Sequence, residues 1–137
     1  MANNFVFDTN SLVSAFIIKS SVPRKALEVA FKEGKLLVSD ATLEELNEVL
    51  FRSKFDKYLS FETRWKLLND YVNAAALITI TNSVKICRDK KDNKFLELAL
   101  DGNAKYIVSG DNDLLILDTF ENIQIISPAR FIKVFTK

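Results

Sequence analysis

The stretch FVFDTN (residues 5–10) joins a short apolar run to an acidic residue at the point where the run ends. Aromatic and β-branched residues in a bounded run predict a buried strand. Asp8 closes the run, and the polar residues Thr9 and Asn10 follow it. An aspartate in that place is either the N-cap of the next helix or a ligand for a metal ion. The positions of the other acidic residues therefore bear on what Asp8 does.

The chain has the size and composition of one globular domain. With 137 residues, 48% of them hydrophobic and 27% charged, it has enough apolar side chains for a single core. Three glycines and two prolines leave little room for long linkers. We therefore expect residues 1–137 to form a single domain.

Several function classes need residues that this sequence lacks. Histidine is absent, which removes the commonest general base and the Ser-His and Cys-His nucleophile systems. Cys87 is the single cysteine, so an internal disulfide is impossible and a reducing, cytoplasmic location is expected. No apolar run approaches the ~20 residues that a membrane-spanning helix needs, and we expect no leader segment. Any catalysis would rely on carboxylates, lysines or a bound ion.

Predicted strands and helices alternate almost throughout the sequence. The predicted strands are 5–8, 35–39, 77–81, 105–109 and 123–127, and the main predicted helices are 10–19, 23–33, 42–51, 61–76, 93–100 and one that begins at 128. This order predicts an α/β domain: a three-layer α/β/α sandwich with a central, mostly parallel sheet of about four to five strands. The apolar spacing places Trp65, Leu68 and Val72 on the inward face of their helix, and likewise Phe131 and Val134.

Four acidic residues from four separate segments fall at one edge of the predicted sheet. Asp8 and Asp111 follow strands, Asp92 opens a helix, and Glu45 lies in the first turn of the helix after strand 35–39. Ligands of open parallel sheets bind beyond the carboxyl ends of the strands. Four unpaired carboxylates would repel one another, whereas Mg²⁺ or Mn²⁺ takes oxygen ligands and relieves that repulsion. One or two such ions could activate water for phosphodiester cleavage without a histidine.

Each of these acids also has a purely structural interpretation. Asp8 and Asp92 stand where an N-cap is expected, and Glu45 follows Thr42 at the spacing of a capping box. Asp111 lies in SGDND (residues 109–113), a composition typical of a turn. The joint placement of all four at one edge favours the metal site, and capping is compatible with ligation.

Basic residues flank the acidic positions. The candidates for contacting a phosphate backbone around the acidic centre are Arg24, Arg52, Lys54, Lys91 and Lys94. A solvated charged face would explain the same pattern without a nucleic acid. Both interpretations stay open at the level of sequence.

Four segments together resemble the PIN domain (PilT N-terminus) nucleases. They are FVFDTN (5–10), LEEL (43–46), CRDKKDNKFLELAL (87–100) and YIVSGDNDLL (106–115). The resemblance runs from Phe5 to about Pro128 and is strongest to the small prokaryotic VapC-like branch, the toxins of toxin–antitoxin systems. It implies a metal-dependent ribonuclease with a parallel-sheet α/β/α sandwich.

That resemblance also implies the site. The family's catalytic and metal-binding acids fall on Asp8, Glu45, Asp92 and Asp111, and supporting positions fall on Asn10, Ser109, Asp113 and Asp89. The implied cofactor is one or two Mg²⁺ or Mn²⁺ ions. Single-stranded RNA is the expected substrate, because A-form helices hide their base edges. A homodimer and a small antitoxin protein are the implied partners.

Two other functions remain open. A phosphatase of the haloacid dehalogenase type also begins with an apolar strand that ends in aspartate, but it needs a second acid where Asn10 stands. A non-catalytic RNA- or protein-binding module would keep the fold and lack turnover. The complete set of acids speaks against that second alternative.

Overall fold

The computed structural model describes residues 3–136, which contain a six-stranded sheet. Its strands are β1 (Asn3–Phe7), β2 (Gly34–Val38), β3 (Ala76–Leu77), β4 (Tyr106–Val108), β5 (Thr119–Phe120) and β6 (Ile123–Ile126). Their order is β3-β2-β1-β4-β6-β5, and every pair is parallel except β5 with β6. The chain winds outward from β1 to β3 and then crosses back to β4. A topological switch point therefore lies between β1 and β4, where ligands of open α/β sheets bind.

Helices cover both faces of the sheet. Within residues 3–136 they are α1 (Thr9–Ile17), α2 (Val22–Glu33), α3 (Asp40–Leu50), α4 (Phe61–Ala74), α5 (Asn93–Asp101), α6 (Asn112–Leu115) and α7 (Pro128–Phe135). A serine side chain caps the first turn of α2, α3, α4 and α7 by accepting a backbone amide. No helix in this described range is both long and apolar enough to cross a membrane.

Two apolar cores lie on opposite faces of the sheet, because successive strand residues point to opposite sides. Phe5 belongs to one core, together with side chains of α1 to α4 and α7, and its ring centroid lies 5.0 Å from that of Phe131. Val6 belongs to the other core, with side chains of α5 and α6. The predicted α/β/α sandwich with a mostly parallel sheet is therefore confirmed, with six strands rather than four or five.

Some local predictions are wrong. The strand predicted at 77–81 is reduced to Ala76–Leu77. In α4 the buried residues are Arg64 and Tyr71, whereas Trp65 is 55% exposed and Val72 is 36% exposed. In α7, Phe131 is buried as predicted, but Val134 is 51% exposed.

The contacts of the Arg64 side chain explain the orientation of α4. Its guanidinium donates to the backbone carbonyls of Leu50 and Arg52 and forms an ion pair with Asp56 at 2.7 Å. These bonds connect the start of α4 to the end of α3 and to the segment that follows it. They require the Arg64 face of the helix to point inward, which turns Trp65 outward.

A candidate metal centre at the carboxyl edge of the sheet

Acidic side chains from four segments meet in a cleft at the carboxyl edge of the sheet. β1 pairs in parallel with β4, and Phe7 is the register partner of Val108, so the residues that follow these two strands are neighbours. The cleft has a volume of about 500 Å³. Its acidic lining residues are Asp8, Glu44, Glu45, Glu48, Asp89, Asp92 and Asp111. The four predicted metal-binding acids are therefore brought together.

Asp8 is 4% exposed and follows β1 directly. Its Oδ1 accepts the Ser11 backbone amide at 2.9 Å, so it caps α1 as one interpretation of the sequence predicted. Burial raises the pKa of Asp8 above its ordinary value, hydrogen bonds from Ser109 and Ser11 oppose that rise, and nearby Asp111 adds to it. The carboxylate thus serves as a helix cap and also lines the cleft.

Ser109 connects the two acids that follow β1 and β4. Its side chain is fully buried, and its hydroxyl donates to Asp8 Oδ2 at 2.5 Å. The same hydroxyl oxygen accepts the backbone amide of Asp111 at 2.9 Å. Asp111 in turn accepts the Asp113 amide at 2.9 Å, which caps α6. One buried hydroxyl therefore fixes the position of Asp8 relative to Asp111.

Asp92 is 8% exposed, and its Oδ2 has no hydrogen-bond partner among residues 3–136. Its side chain makes no capping bond to α5, so the N-cap interpretation of this residue is wrong. A 3-10 turn over Lys90–Asp92 precedes α5, and Asp89 caps that turn instead. Burial, with the neighbouring carboxylates of Asp111, Asp89 and Asp8, raises the pKa of Asp92 to about 7.

Asp89 and Asp113 stand beside Asp92. Each of the three residues places one carboxylate oxygen within 4.8 Å of the others. Arg88 donates to Asp113 at 2.9 Å from Nε, but its side chain is 80% exposed. The acids predicted as supporting residues therefore adjoin the carboxylate of Asp92.

Glu45 enters the cleft from α3 and is not part of a cap. The capping box of α3 is formed by Ser39 and Thr42, which corrects the pairing of Thr42 with Glu45. Glu45 Oε2 instead accepts from Lys94 Nζ at 2.6 Å, and Oε1 accepts the Thr9 hydroxyl. Sequence reasoning missed this role of Thr9, although its position directly after Asp8 was a usable signal.

The remaining predicted residues divide between the cleft and other surfaces. Asn10 is exposed and lines the cleft, as do Arg52, Lys91 and Lys94. Arg24 lies outside it, against Ala15 and Glu28 beside a separate groove between α2 and α4. Lys54 does not line the cleft, and its ammonium lies 5.0 Å from the Phe55 ring centroid.

Cys87 is buried in the apolar core, and burial raises the pKa of its thiol to about 11.

The chemistry of this donor set suits a hard divalent cation. The cleft offers carboxylate oxygens, which Mg²⁺ and Mn²⁺ prefer as ligands, and at least one of them is buried without a donor. Basic side chains at its rim can meet the charge of a phosphate. The arrangement therefore has the parts that metal-assisted phosphodiester hydrolysis requires.

Comparisons with known proteins identify a matching family model and a protein of similar sequence. A family model described as PIN domain matches residues 4–113. The uncharacterized protein MJ1680 of Methanocaldococcus jannaschii is 33% identical, and the match covers 96% of this chain and 91% of that protein.

Two solved structures share the fold at low sequence identity. VapBC2 from Rickettsia felis, solved with a DNA fragment from its promoter, gives a TM-score of 0.61 at 16% identity, covering 89% of this chain and 96% of the matched chain. PAE2754 from Pyrobaculum aerophilum gives a TM-score of 0.60 at 11% identity and covers 98% of each chain.

Proposed function

The chain belongs to the PIN domain family, and from this premise we propose that it is a metal-dependent endoribonuclease that hydrolyses phosphodiester bonds of single-stranded RNA. The observation that carries the proposal is the cleft at the carboxyl edge of the sheet, which is lined by Asp8, Glu45, Asp92 and Asp111. We further propose that residues 1–137 act as one nuclease domain.

The proposed cofactor is one or two Mg²⁺ or Mn²⁺ ions. A buried carboxylate oxygen without a donor, such as Asp92 Oδ2, costs free energy unless a cation satisfies it. We assign the metal-holding role to Asp8, Glu45, Asp92 and Asp111, with Asp89 and Asp113 assisting. When bound, the ion would lower the pKa of the attacking water and offset the charge that develops on the phosphate.

The chain's own contribution is orientation. Ser109 and Ser11 each donate to one oxygen of Asp8, so this carboxylate is held in a single orientation before any ion arrives. Asn10 lines the cleft beside Asp8 and is exposed. We assign its side-chain amide the role of donating to a water or a phosphate oxygen.

Two features of the cleft favour a single strand as substrate. Asp8 and Asp92 are both buried, so the acids lie in a recess that a flexible strand reaches more readily than a rigid duplex does. Arg52, Lys91 and Lys94 line the same cleft and would neutralise phosphates on either side of the scissile bond. Arg24 and Lys54 lie outside the cleft and would act only on a longer strand.

The proposed biological setting is a toxin–antitoxin pair. The sequence resembles VapC-like toxins, and the fold matches that of VapBC2 from Rickettsia felis. We take the partner to be a small antitoxin protein that covers the acidic cleft, and we take the active form to be a homodimer.

Cleavage of a labelled pool of short RNAs in Mn²⁺ tests the proposal. Wild-type protein should cut single-stranded RNA, and chelator or Asp8→Asn should abolish cutting. Asp118→Asn is the matched control, because Asp118 is exposed, lies outside the cleft and has a positive φ of 62° that asparagine tolerates. Folded wild-type protein that cuts in no divalent metal would contradict the proposal and favour the non-catalytic binding module. Cutting of duplex RNA or single-stranded DNA at an equal rate would contradict the substrate class alone.

A further inference from the structure

Both carboxylate oxygens of Glu45 are occupied by side chains of the protein itself. Lys94 donates to Oε2 and Thr9 donates to Oε1. The side chains of Lys94 and Glu45 are only 21% and 19% exposed, so this ion pair is shielded from solvent far more than a surface pair is. Reduced solvent screening strengthens the attraction between the two charges. The pair is therefore stronger than an exposed ion pair of the same length.

The other side of the cleft is different. Asp92 Oδ2 has no donor among residues 3–136, and the neighbouring Asp113 is paired only with the 80% exposed side chain of Arg88. A cation entering the cleft meets an unpaired oxygen at Asp92. At Glu45 it meets an ammonium group that already holds the oxygen it needs.

We propose that Lys94 is a built-in counter-cation, which holds Glu45 until a divalent ion displaces it, and which then contacts the RNA phosphate. The inference rests on the proposed function, because it presupposes that Glu45 helps to bind a metal ion. An ammonium and a divalent ion that share one carboxylate at close range repel each other, which raises the free energy of the state in which both are bound. Binding of a divalent ion at Glu45 is therefore expected to displace the ammonium.

The position of Lys94 in the sequence explains why it would remain useful after displacement. It lies in the first turn of α5, two residues after Asp92, so its backbone is fixed beside the proposed metal site. Its flexible four-carbon stem lets the ammonium move within the cleft while the helix stays in place. The displaced charge would add to those of Arg52 and Lys91, which line the same cleft.

Two consequences separate this inference from a purely structural ion pair. The affinity for a divalent ion should be lower than the number of carboxylates in the cleft suggests, because binding at Glu45 breaks its ion pair with Lys94. The accessibility of Lys94 should also depend on metal, since its ammonium is released into solvent. Lys91 is the natural reference for both, because it is exposed, lines the same cleft and makes no ion pair within residues 3–136.

Lysine acetylation followed by mass spectrometry tests the displacement directly. In wild-type protein with chelator, Lys94 should react much more slowly than Lys91. Saturating Mn²⁺ should raise the acetylation rate of Lys94 on the order of tenfold, because the ion displaces its ammonium from Glu45. The acetylation rate of Lys91 should rise by less than about twofold, because Lys91 has no such contact to lose. Mn²⁺ that binds while Lys94 stays protected would overturn the inference and leave the proposed metal site intact.

Calorimetric titration with Mn²⁺ gives a second, independent readout. Lys94→Met should bind Mn²⁺ on the order of tenfold more tightly than wild type, because the competing charge is gone. Lys91→Met should change the affinity for Mn²⁺ by less than about twofold, because Lys91 does not contact Glu45 directly and salt screens its charge. Equal gains in the two variants would overturn the inference. Failure of wild-type protein to bind Mn²⁺ at all would instead overturn the proposed metal site, and the inference with it.

Discussion

Ser109 and Asp8 are 101 residues apart in sequence and are joined by a buried hydrogen bond of 2.5 Å from the serine hydroxyl to Oδ2. The same hydroxyl accepts the backbone amide that begins the turn at Asp111. A single oxygen atom therefore sets the geometry of two acids that follow adjacent strands. Loss of this hydroxyl should affect the cleft more than the fold.

Replacing Ser109 by alanine should cost about 1–2 kcal/mol in the free energy of unfolding, because Asp8 Oδ2 and the Asp111 amide both lose a buried partner. RNA cleavage and Mn²⁺ affinity should each fall by roughly 10–100-fold, as is usual when a group that orients a ligand is removed. Urea unfolding and calorimetry measure the two effects. Ser109→Thr keeps the hydroxyl and is the control. Metal affinity unchanged in Ser109→Ala would show that Asp8 needs no such support.

The pKa of about 7 at Asp92 makes the stability of the metal-free protein depend on pH. The folded pKa lies above the ordinary value of ~3.9, so the unfolded chain releases this proton first as pH rises. The contribution of Asp92 to stability is therefore complete below about pH 4 and is lost as pH rises through 7. Metal-free wild type should unfold at a lower temperature at pH 8 than at pH 5.5.

Asp92→Asn is the variant that isolates this effect. With chelator present, its stability relative to wild type should rise between pH 5 and pH 8, on the order of 1–2 kcal/mol, because wild type loses the contribution of protonated Asp92 over that range. Mn²⁺ should raise the unfolding temperature of wild type but not of the variant. Thermal unfolding between pH 5 and 8.5 provides the measurement. Parallel curves for the two proteins would mean that Asp92 does not titrate in this range.

Arg64 should be the most sensitive charged residue outside the cleft. It is 2% exposed, and Arg64→Met would leave the carbonyls of Leu50 and Arg52 without their donor. The expected cost is about 2–4 kcal/mol in the free energy of unfolding, measured with urea. Lys66→Met removes an exposed pair with Asp70 on the same helix and should cost less than about 0.5 kcal/mol. Similar costs for both variants would contradict the inward orientation of Arg64.

Trp65→Ser tests whether the face of α4 that carries Trp65 points outward. Because Trp65 is 55% exposed, the substitution should cost less than about 1 kcal/mol in a urea titration of the monomer. Phe131→Ala, at a fully buried aromatic in the core, should cost about 3–5 kcal/mol. A loss at Trp65 as large as that at Phe131 would restore the sequence-based prediction that Trp65 belongs to the core.

The α4 error shows where periodicity is insufficient. Residues 61, 65, 68 and 72 and residues 64, 67, 68 and 71 both follow helical spacing, so each set describes a possible inward face. Hydrophobic periodicity favours the apolar set, whereas a buried arginine is rare. The orientation of α4 is decided by the carbonyl acceptors at the end of α3 and just after it, and no local pattern in α4 predicts their position.

The cleft itself was easier to predict than its internal contacts. Asp8 directly follows β1, and Asp111 lies three residues past the end of β4. Parallel strands bring their carboxyl ends to one edge, so the grouping follows from element order. The contact between Glu45 and Lys94 spans 49 residues and depends on how α3 packs against α5. The missing cap at Asp92 likewise depends on the extra turn at Lys90–Asp92, which the sequence alone does not distinguish from the first turn of the helix.

The two outermost strands of the sheet, β3 and β5, are only two residues long. A strand that short offers few free backbone groups to a strand from another molecule, so the sheet resists edge-to-edge extension and aggregation by that route. Any association between two copies of this chain would consequently use helix and loop surfaces. The short outer strands thereby limit β-mediated self-assembly of the chain.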